Sequence, residues 1–125
     1  NEVTFTGFLK DVPHFLMGVE VFAFPSTFEG LGTALLEAGY AETCIVATRE
    51  GGIPEIVHHQ ETGLLVDRFS PKDLAEKLSV VLEDRPCREK YAKRIHEHIK
   101  KTFSLENMVN GNRRVYQKVL SGGFG

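Results

Sequence analysis

Apolar positions fall into short unbroken runs over the first half of the chain and into helical stripes over the second. The runs at 3–5, Val21–Phe24 (VFAF), 45–47 and Leu64–Val66 read as strands, and segments of helical spacing at 12–18, 32–40 and 54–58 lie between them. Strands alternating with helices build a parallel sheet covered by helices. Gly7 closes the first strand, Pro13 fits the first turn of its helix, and Pro25 ends VFAF. With no polar alternation, VFAF is expected to be buried on both faces. Gly51-Gly52 reads as a turn. After Arg68 the pattern is helical throughout. Ser70 caps a helix that has Pro71 at its first position and Asp73 where a capping box takes an acid, with Leu74, Leu78, Val81 and Leu82 as its stripe. A second helix over 88–101 carries Tyr91, Ile95 and Ile99 at i, i+4, i+8. A third starts at Ser104, with Leu105, Met108, Val109, Val115, Tyr116 and Val119 as its stripe and Gly111 weakening its middle. Residues 121–125 read as a flexible tail, leaving 1–120 as one α/β domain with Phe15, Phe22, Phe24 and Phe28 expected in the core.

Composition agrees with that outline. A chain of 125 residues with 42% hydrophobic and 26% charged content suits one soluble globular domain, large enough to bury roughly two thirds of its unfolded surface. Cys44 and Cys87 form no CxxC pair, no apolar run approaches the ~20 residues of a membrane span, and no targeting pattern opens the chain. A reduced, cytoplasmic setting is the expectation. The chain has no initiator Met and opens in a strand pattern, so it is expected to be a piece of something longer.

The formal net charge of -2 conceals a division. Lys10, Arg49 and Arg68 are the cations up to residue 71, whereas Lys and Arg outnumber acids beyond it, most densely over 85–101. That stretch is the surface an anionic membrane would meet. The plainer reading is a solvated helix face, because Tyr91, Ile95 and Ile99 on the same helix need a core, and no nucleic-acid partner is expected. His14, His58, His59, His96 and His98 complete no tetrahedral ligand set, so no metal is expected. Cys44, just before a buried strand, reads as a small hydrophobe, and Ser26 lacks the G-x-S-x-G of a nucleophile elbow.

Residues 24–38, FPSTFEGLGTALLEA, carry the chemistry. A strand leads into a glycine-bearing loop, and the loop leads straight into a helix. Small residues let a ligand approach the backbone, and the free N–H groups of a first helical turn, with the positive dipole end behind them, favour an anion such as phosphate. In open α/β sheets such loops sit at the carboxyl ends of strands, where ligands bind. Glu29 lies on the loop and Glu37 about one and a half turns into the helix. Carboxylates beside a phosphate site are unfavourable unless they accept hydrogen bonds from hydroxyls, which sugars supply. A ligand with phosphate in the middle and hydroxyls at both ends, such as a nucleotide sugar, satisfies both demands. The alternative reading of the two acids is that they only complement the helix dipole.

The pieces Ser26-Thr27-Phe28-Glu29-Gly30-Leu31-Gly32, Leu36-Glu37-Ala38, Ile45-Val46-Ala47-Thr48, Gly51-Gly52-Ile53-Pro54-Glu55-Ile56-Val57 and Thr62-Gly63-Leu64-Leu65-Val66 occur in that order. Together they resemble the donor-binding, C-terminal half of family 4 retaining glycosyltransferases. The resemblance implies the two-domain GT-B architecture, with a Rossmann-like parallel sheet and flanking helices, here truncated at its N-terminus. The family's Glu-x7-Glu pair matches Glu29 and Glu37. By that resemblance Glu29 is catalytic and accepts hydroxyls of the donor sugar. The N–H groups around Gly30, at Leu31, Gly32 and Thr33, touch the sugar and the distal phosphate, Glu37 takes the ribose hydroxyls, and Gly51 and Gly52 border the nucleotide. Transfer with retained anomeric configuration is implied, without cofactor or bound metal.

The chain departs from the family at Leu31, where Phe is common, and at Glu42-Thr43-Cys44, where Gly-x-Pro is usual. The Arg and Lys that grip the diphosphate in the family, and its acceptor domain, lie upstream of the first residue here. The 125 residues alone are therefore expected to bind donor weakly and transfer nothing. The resemblance also implies strand order 3-2-1-4-5-6 with this chain starting at the third strand. That would leave two missing strands between 3–5 and Val21–Phe24, and the open edge makes self-association an expectation. The competing class is a sugar-nucleotide-binding module without catalysis. A response-regulator-like domain is disfavoured, because Val3-Thr4-Phe5-Thr6-Gly7 brings no acidic cluster.

Overall fold

A computed structural model describes residues 2–122. Strands β1 (Val21–Phe24), β2 (Cys44–Thr48) and β3 (Leu64–Val66) form a parallel sheet in that order, with Val21 opposite Cys44 and Val46 opposite Leu64. Helices α1 (Val12–Leu16), α2 (Thr33–Tyr40), α3 (Ile53–Ile56), α4 (Pro71–Glu83), α5 (Arg85–Thr102) and α6 (Leu105–Leu120) complete the chain.

Successive side chains of a strand point to opposite faces, and β2 divides the core accordingly. Ile45 and Ala47 pack with Leu35, Ala38, Ile53, Ile56, Leu65, Ile95 and Ile99 on one face, while Cys44 and Val46 pack with Leu64, Val66, Val81 and Tyr91 on the other. Helix α5 serves both faces, Tyr91 on one and Ile95 and Ile99 on the other. Cys44 is the small hydrophobe expected: fully buried, its thiol is pushed up to about 12 chiefly by desolvation.

Side-chain caps set several boundaries. Asp11 accepts from the His14 N–H, Ser70 from Asp73, Asp84 from Cys87 and Ser104 from Asn107, each contributing about 1 kcal/mol. Asp84 explains why α5 begins at Arg85 rather than at 88: it both ends α4 and caps α5, with Pro86 in the first turn. Asp73 reaches back past the usual capping-box partner, its Oδ2 accepting from the Asp67 N–H at 3.0 Å.

Residues 3–5 form no strand, and Phe5 is 95% exposed. No strand pairs with the outer side of β1 among the described residues, so β1 is an edge. It is half-buried rather than enclosed, with Ala23 exposed. Phe22 and Phe24 stack at 5.9 Å against the core, but Phe15 and Phe28 are exposed instead of buried. Leu82 also faces solvent, leaving Leu74, Leu78 and Val81 as the inward stripe of α4. Helix α6 forms where its pattern places it, yet none of its residues is buried and its apolar stripe is exposed along the whole length. The tail lies partly in the turn at 121–122, and 123–125 fall outside the described residues.

Two histidines tie stability to pH. His59 Nδ1 accepts the Leu65 N–H at 2.9 Å, and desolvation, then Arg49 and Lys77, lower its pKa from 6.5. Burial and the His58 ring, 4.6 Å away, lower that of His98 from the same value. The folded chain therefore holds these protons less tightly than the unfolded chain. Stability from the two groups is full above about 6.5 and falls as pH drops through that value toward the depressed folded pKa values. The thermal midpoint is expected to fall between pH 7.5 and 5.5, and to fall less in His59→Gln. A midpoint that holds steady across that range contradicts this account.

Candidate functional site

Parallel strands put their carboxyl ends on one edge, where the segments 25–32, 49–52 and 67–70 meet. The loop after β1 is fixed there carbonyl by carbonyl. The Ser26 carbonyl accepts from the Thr48 hydroxyl at the end of β2. The Thr27 carbonyl accepts from Arg68 Nη1 at 3.5 Å, and the Phe28 carbonyl from the Ser26 hydroxyl at 3.1 Å. The Gly30 carbonyl accepts from the Gly52 N–H at 3.1 Å. The Glu29 carbonyl lies so close to Gly51 that a Cβ there would sit 1.8 Å from it. Gly51, at φ +51°, and Gly52, whose Cβ would come 2.3 Å from the Gly30 oxygen, are required by this backbone-on-backbone contact.

The carbonyls of Ser26, Thr27, Phe28 and Gly30 are thus taken by protein donors, which leaves the N–H groups of the loop and the helix start. Those of Leu31, Thr33 and Ala34 have no protein acceptor among the described residues. Gly32 takes the left-handed conformation at φ +69° to enter α2, which starts without the side-chain cap that α1, α4, α5 and α6 have. The Gly32 N–H differs from the expectation for it: Glu29 Oε1 accepts it at 3.2 Å. A half-buried carboxylate thus occupies the position where an anion would meet the start of the helix.

Glu37 stands exposed on α2 and borders a recess of about 880 Å³, shared with Pro13, Met17, Leu36, Tyr40 and Phe103. Glu29 does not line that recess. A smaller one, about 200 Å³, lies between the loop and the exit of β3, lined by Thr27, Thr48, Phe69 and Leu74 among others. The structure therefore brings Glu29, Gly30, Leu31, Gly32 and Thr33 together with Gly51 and Gly52, and sets Glu37 apart on the neighbouring helix face. Thr48, Glu50 and Arg68 were not singled out from the sequence. Thr48 at the end of β2 and Arg68 beyond β3 hold the loop, Arg68 also pairing with Glu50 at 3.2 Å.

The basic stretch on α5 is partly structural. Arg88 donates to the Val81 and Leu82 carbonyls at the end of α4 and pairs with Glu20 at 3.1 Å, and Arg85 pairs with Glu89 at 2.7 Å. Among the described residues no three His, Cys, Asp or Glu side chains are grouped to hold a metal ion, and no helix is long and apolar enough to cross a membrane.

A parallel α/β sheet with its ligand loop at the strand ends and a glycine turn locked beneath it defines a Rossmann-like domain of the GT-B kind. The chain belongs to the glycosyl transferases group 1, whose family model matches residues 1–101. It is 34% identical over 106 residues to the lipopolysaccharide core biosynthesis glycosyltransferase LpsE of Rhizobium meliloti, covering 85% of this chain and 31% of that protein. Among solved structures, Anabaena Alr3699/HepE in complex with UDP and glucose superposes with a TM-score of 0.83 at 25% identity, over 97% of this chain and 32% of that one. The C-terminal domain of the glycosyl transferase group 1 family protein LpcC from Francisella tularensis gives 0.73 at 26% identity, over 82% of this chain and 53% of that one. The chain thus spans about a third of the full-length relatives it matches.

Proposed function

We propose that these residues are the donor-binding part of a retaining glycosyltransferase that takes its sugar from a nucleoside diphosphate. The observation that carries the reading is the loop at 26–32, which offers the free N–H groups of Leu31 and Thr33 beside the Glu29 carboxylate. HepE, which shares the fold, binds UDP and glucose. In the proposed complex the distal phosphate accepts the Gly32 N–H now held by Glu29. The displaced carboxylate is then free to accept hydroxyls of the sugar, so that phosphate and sugar are engaged together. Glu37 accepts the ribose hydroxyls from α2, and the helix start supplies positive potential without a metal ion. The diphosphate leaving group needs little acid assistance, so carboxylate spacings from glycoside hydrolysis do not apply.

The test is titration of UDP, GDP and ADP sugars into the complete protein with an acceptor screen. Release of nucleoside diphosphate that depends on acceptor supports the enzyme, whereas tight binding without release leaves a non-catalytic binding module. Turnover by the 125-residue chain alone contradicts the division of labour assigned to it.

The unpaired side of β1, together with the exposed Phe5, Phe8, Phe15 and Met17 elsewhere on the N-terminal segment, supports self-association of the isolated chain. Sedimentation at rising concentration is expected to show species heavier than the monomer. A single monomeric boundary at high concentration contradicts it.

A further inference from the structure

We infer that Arg68 is a positioning residue that sets the height of the ligand loop, an inference that rests on the donor-binding reading above. Both ends of the loop are already tied: the Ser26 carbonyl by Thr48 and the Gly30 carbonyl by Gly52, each from the β2 side. The middle of the loop has no comparable support from β3. The recess of about 200 Å³ separates Thr27 from Phe69 and Leu74. Arg68, two residues past the end of β3, bridges that gap. Its Nη1 lies 3.5 Å from the Thr27 carbonyl and 3.2 Å from Glu50 Oε2, and its guanidinium rests 4.8 Å from the centre of the Phe69 ring. A planar guanidinium can serve two acceptors from a fixed plane while stacked on an aromatic face; an ammonium group is a point charge on a flexible stem. Thr27 stands two residues before Glu29, so a shift at Thr27 carries Glu29 and the Gly32 N–H with it.

Positioning and folding are separable here because of where the pair lies. The Arg68 side chain is 44% exposed and that of Glu50 25%, and exposed pairs contribute little to stability. Removing the guanidinium should leave the core intact and loosen only the loop.

The experiment compares wild type, Arg68→Met, Arg68→Lys and Glu50→Gln in the complete protein. Titrations use a UDP sugar and, in parallel, uridine monophosphate, which lacks the distal phosphate and the sugar. Arg68→Met is expected to weaken sugar-nucleotide binding by about tenfold and to leave the monophosphate unchanged. Arg68→Lys falls between, and Glu50→Gln, which leaves the guanidinium without its ion pair, weakens sugar-nucleotide binding in the same direction by less and also leaves the monophosphate unchanged. Amide hydrogen exchange without ligand gives a second readout: protection over 26–32 falls in Arg68→Met while that of α2 beyond its first turn holds. Equal loss of both ligands, or unchanged sugar-nucleotide affinity with unchanged exchange, overturns the inference. If Arg68→Met does not fold, Glu50→Gln carries the same comparison. A wild-type protein that binds no sugar nucleotide sinks the donor-binding reading instead, and the exchange result still decides whether Arg68 sets the loop.

Discussion

Glu29→Gln in the complete protein is expected to lower kcat/KM by on the order of 10²–10³-fold while the loop keeps its shape. An amide oxygen can still accept the Gly32 N–H that the carboxylate accepts at 3.2 Å, so the turn into α2 survives. What disappears is the negative charge that, in the proposed complex, lies beside the sugar, where positive charge develops as the bond to phosphate breaks. Glu37→Gln is the matched control. It stands exposed on the helix face, away from the loop, and in the proposed complex touches ribose, which does not change during transfer. Its loss is expected to raise KM and leave kcat near wild type, the signature of uniform binding. Steady-state release of nucleoside diphosphate distinguishes the two. Equal effects on kcat from both substitutions would remove the catalytic assignment from Glu29.

Gly51→Ala is expected to have the largest effect among conservative changes. Its φ of +51° is strained for any side chain, and the added Cβ would fall 1.8 Å from the Glu29 carbonyl oxygen. The oxygen is backbone and the position of a Cβ is fixed by its own backbone, so no rotamer change relieves the collision, and the loop must lift. A cost of about 1–3 kcal/mol in stability is expected, together with loss of measurable sugar-nucleotide binding. Gly30→Ala is the contrast, since nothing lies within 4 Å of a Cβ at that position. Its thermal midpoint is expected to match wild type, so any loss of binding there reports crowding of the ligand. Thermal melts paired with titration check both variants, and a Gly51→Ala protein that melts and binds like wild type contradicts the described packing.

Much of this arrangement was legible in the chain because its signals are local. Strands β2 and β3 are short apolar runs, Ser70 and Ser104 announce their helices, and the glycine loop leading into α2 is visible as spacing. What escaped depends on what lies across from a segment. Residues 3–5 have strand composition but no neighbour to pair with, and the stripe of α6 predicts a helix without predicting anything to cover it. The site divides the same way. Glu29 and the glycines were readable, whereas the hydroxyl of Thr48 meets Ser26 and the guanidinium of Arg68 meets Thr27 across 22 and 41 positions of sequence. A basic residue two places past an apolar strand was the available hint for Arg68. The capture of the Gly32 N–H by Glu29 could not be read from residue order, because it depends on a rotamer.

The carbonyls of Ser26, Thr27, Phe28 and Gly30 are all taken by protein donors, so what the loop has left to offer a ligand is main-chain N–H. A grip made of main-chain hydrogen is indifferent to the identity of the side chains that hang from it. In the proposed complex, substituting the Leu31 or Thr33 side chain is therefore expected to leave the hold on the phosphate in place, because the groups that would make it belong to the main chain.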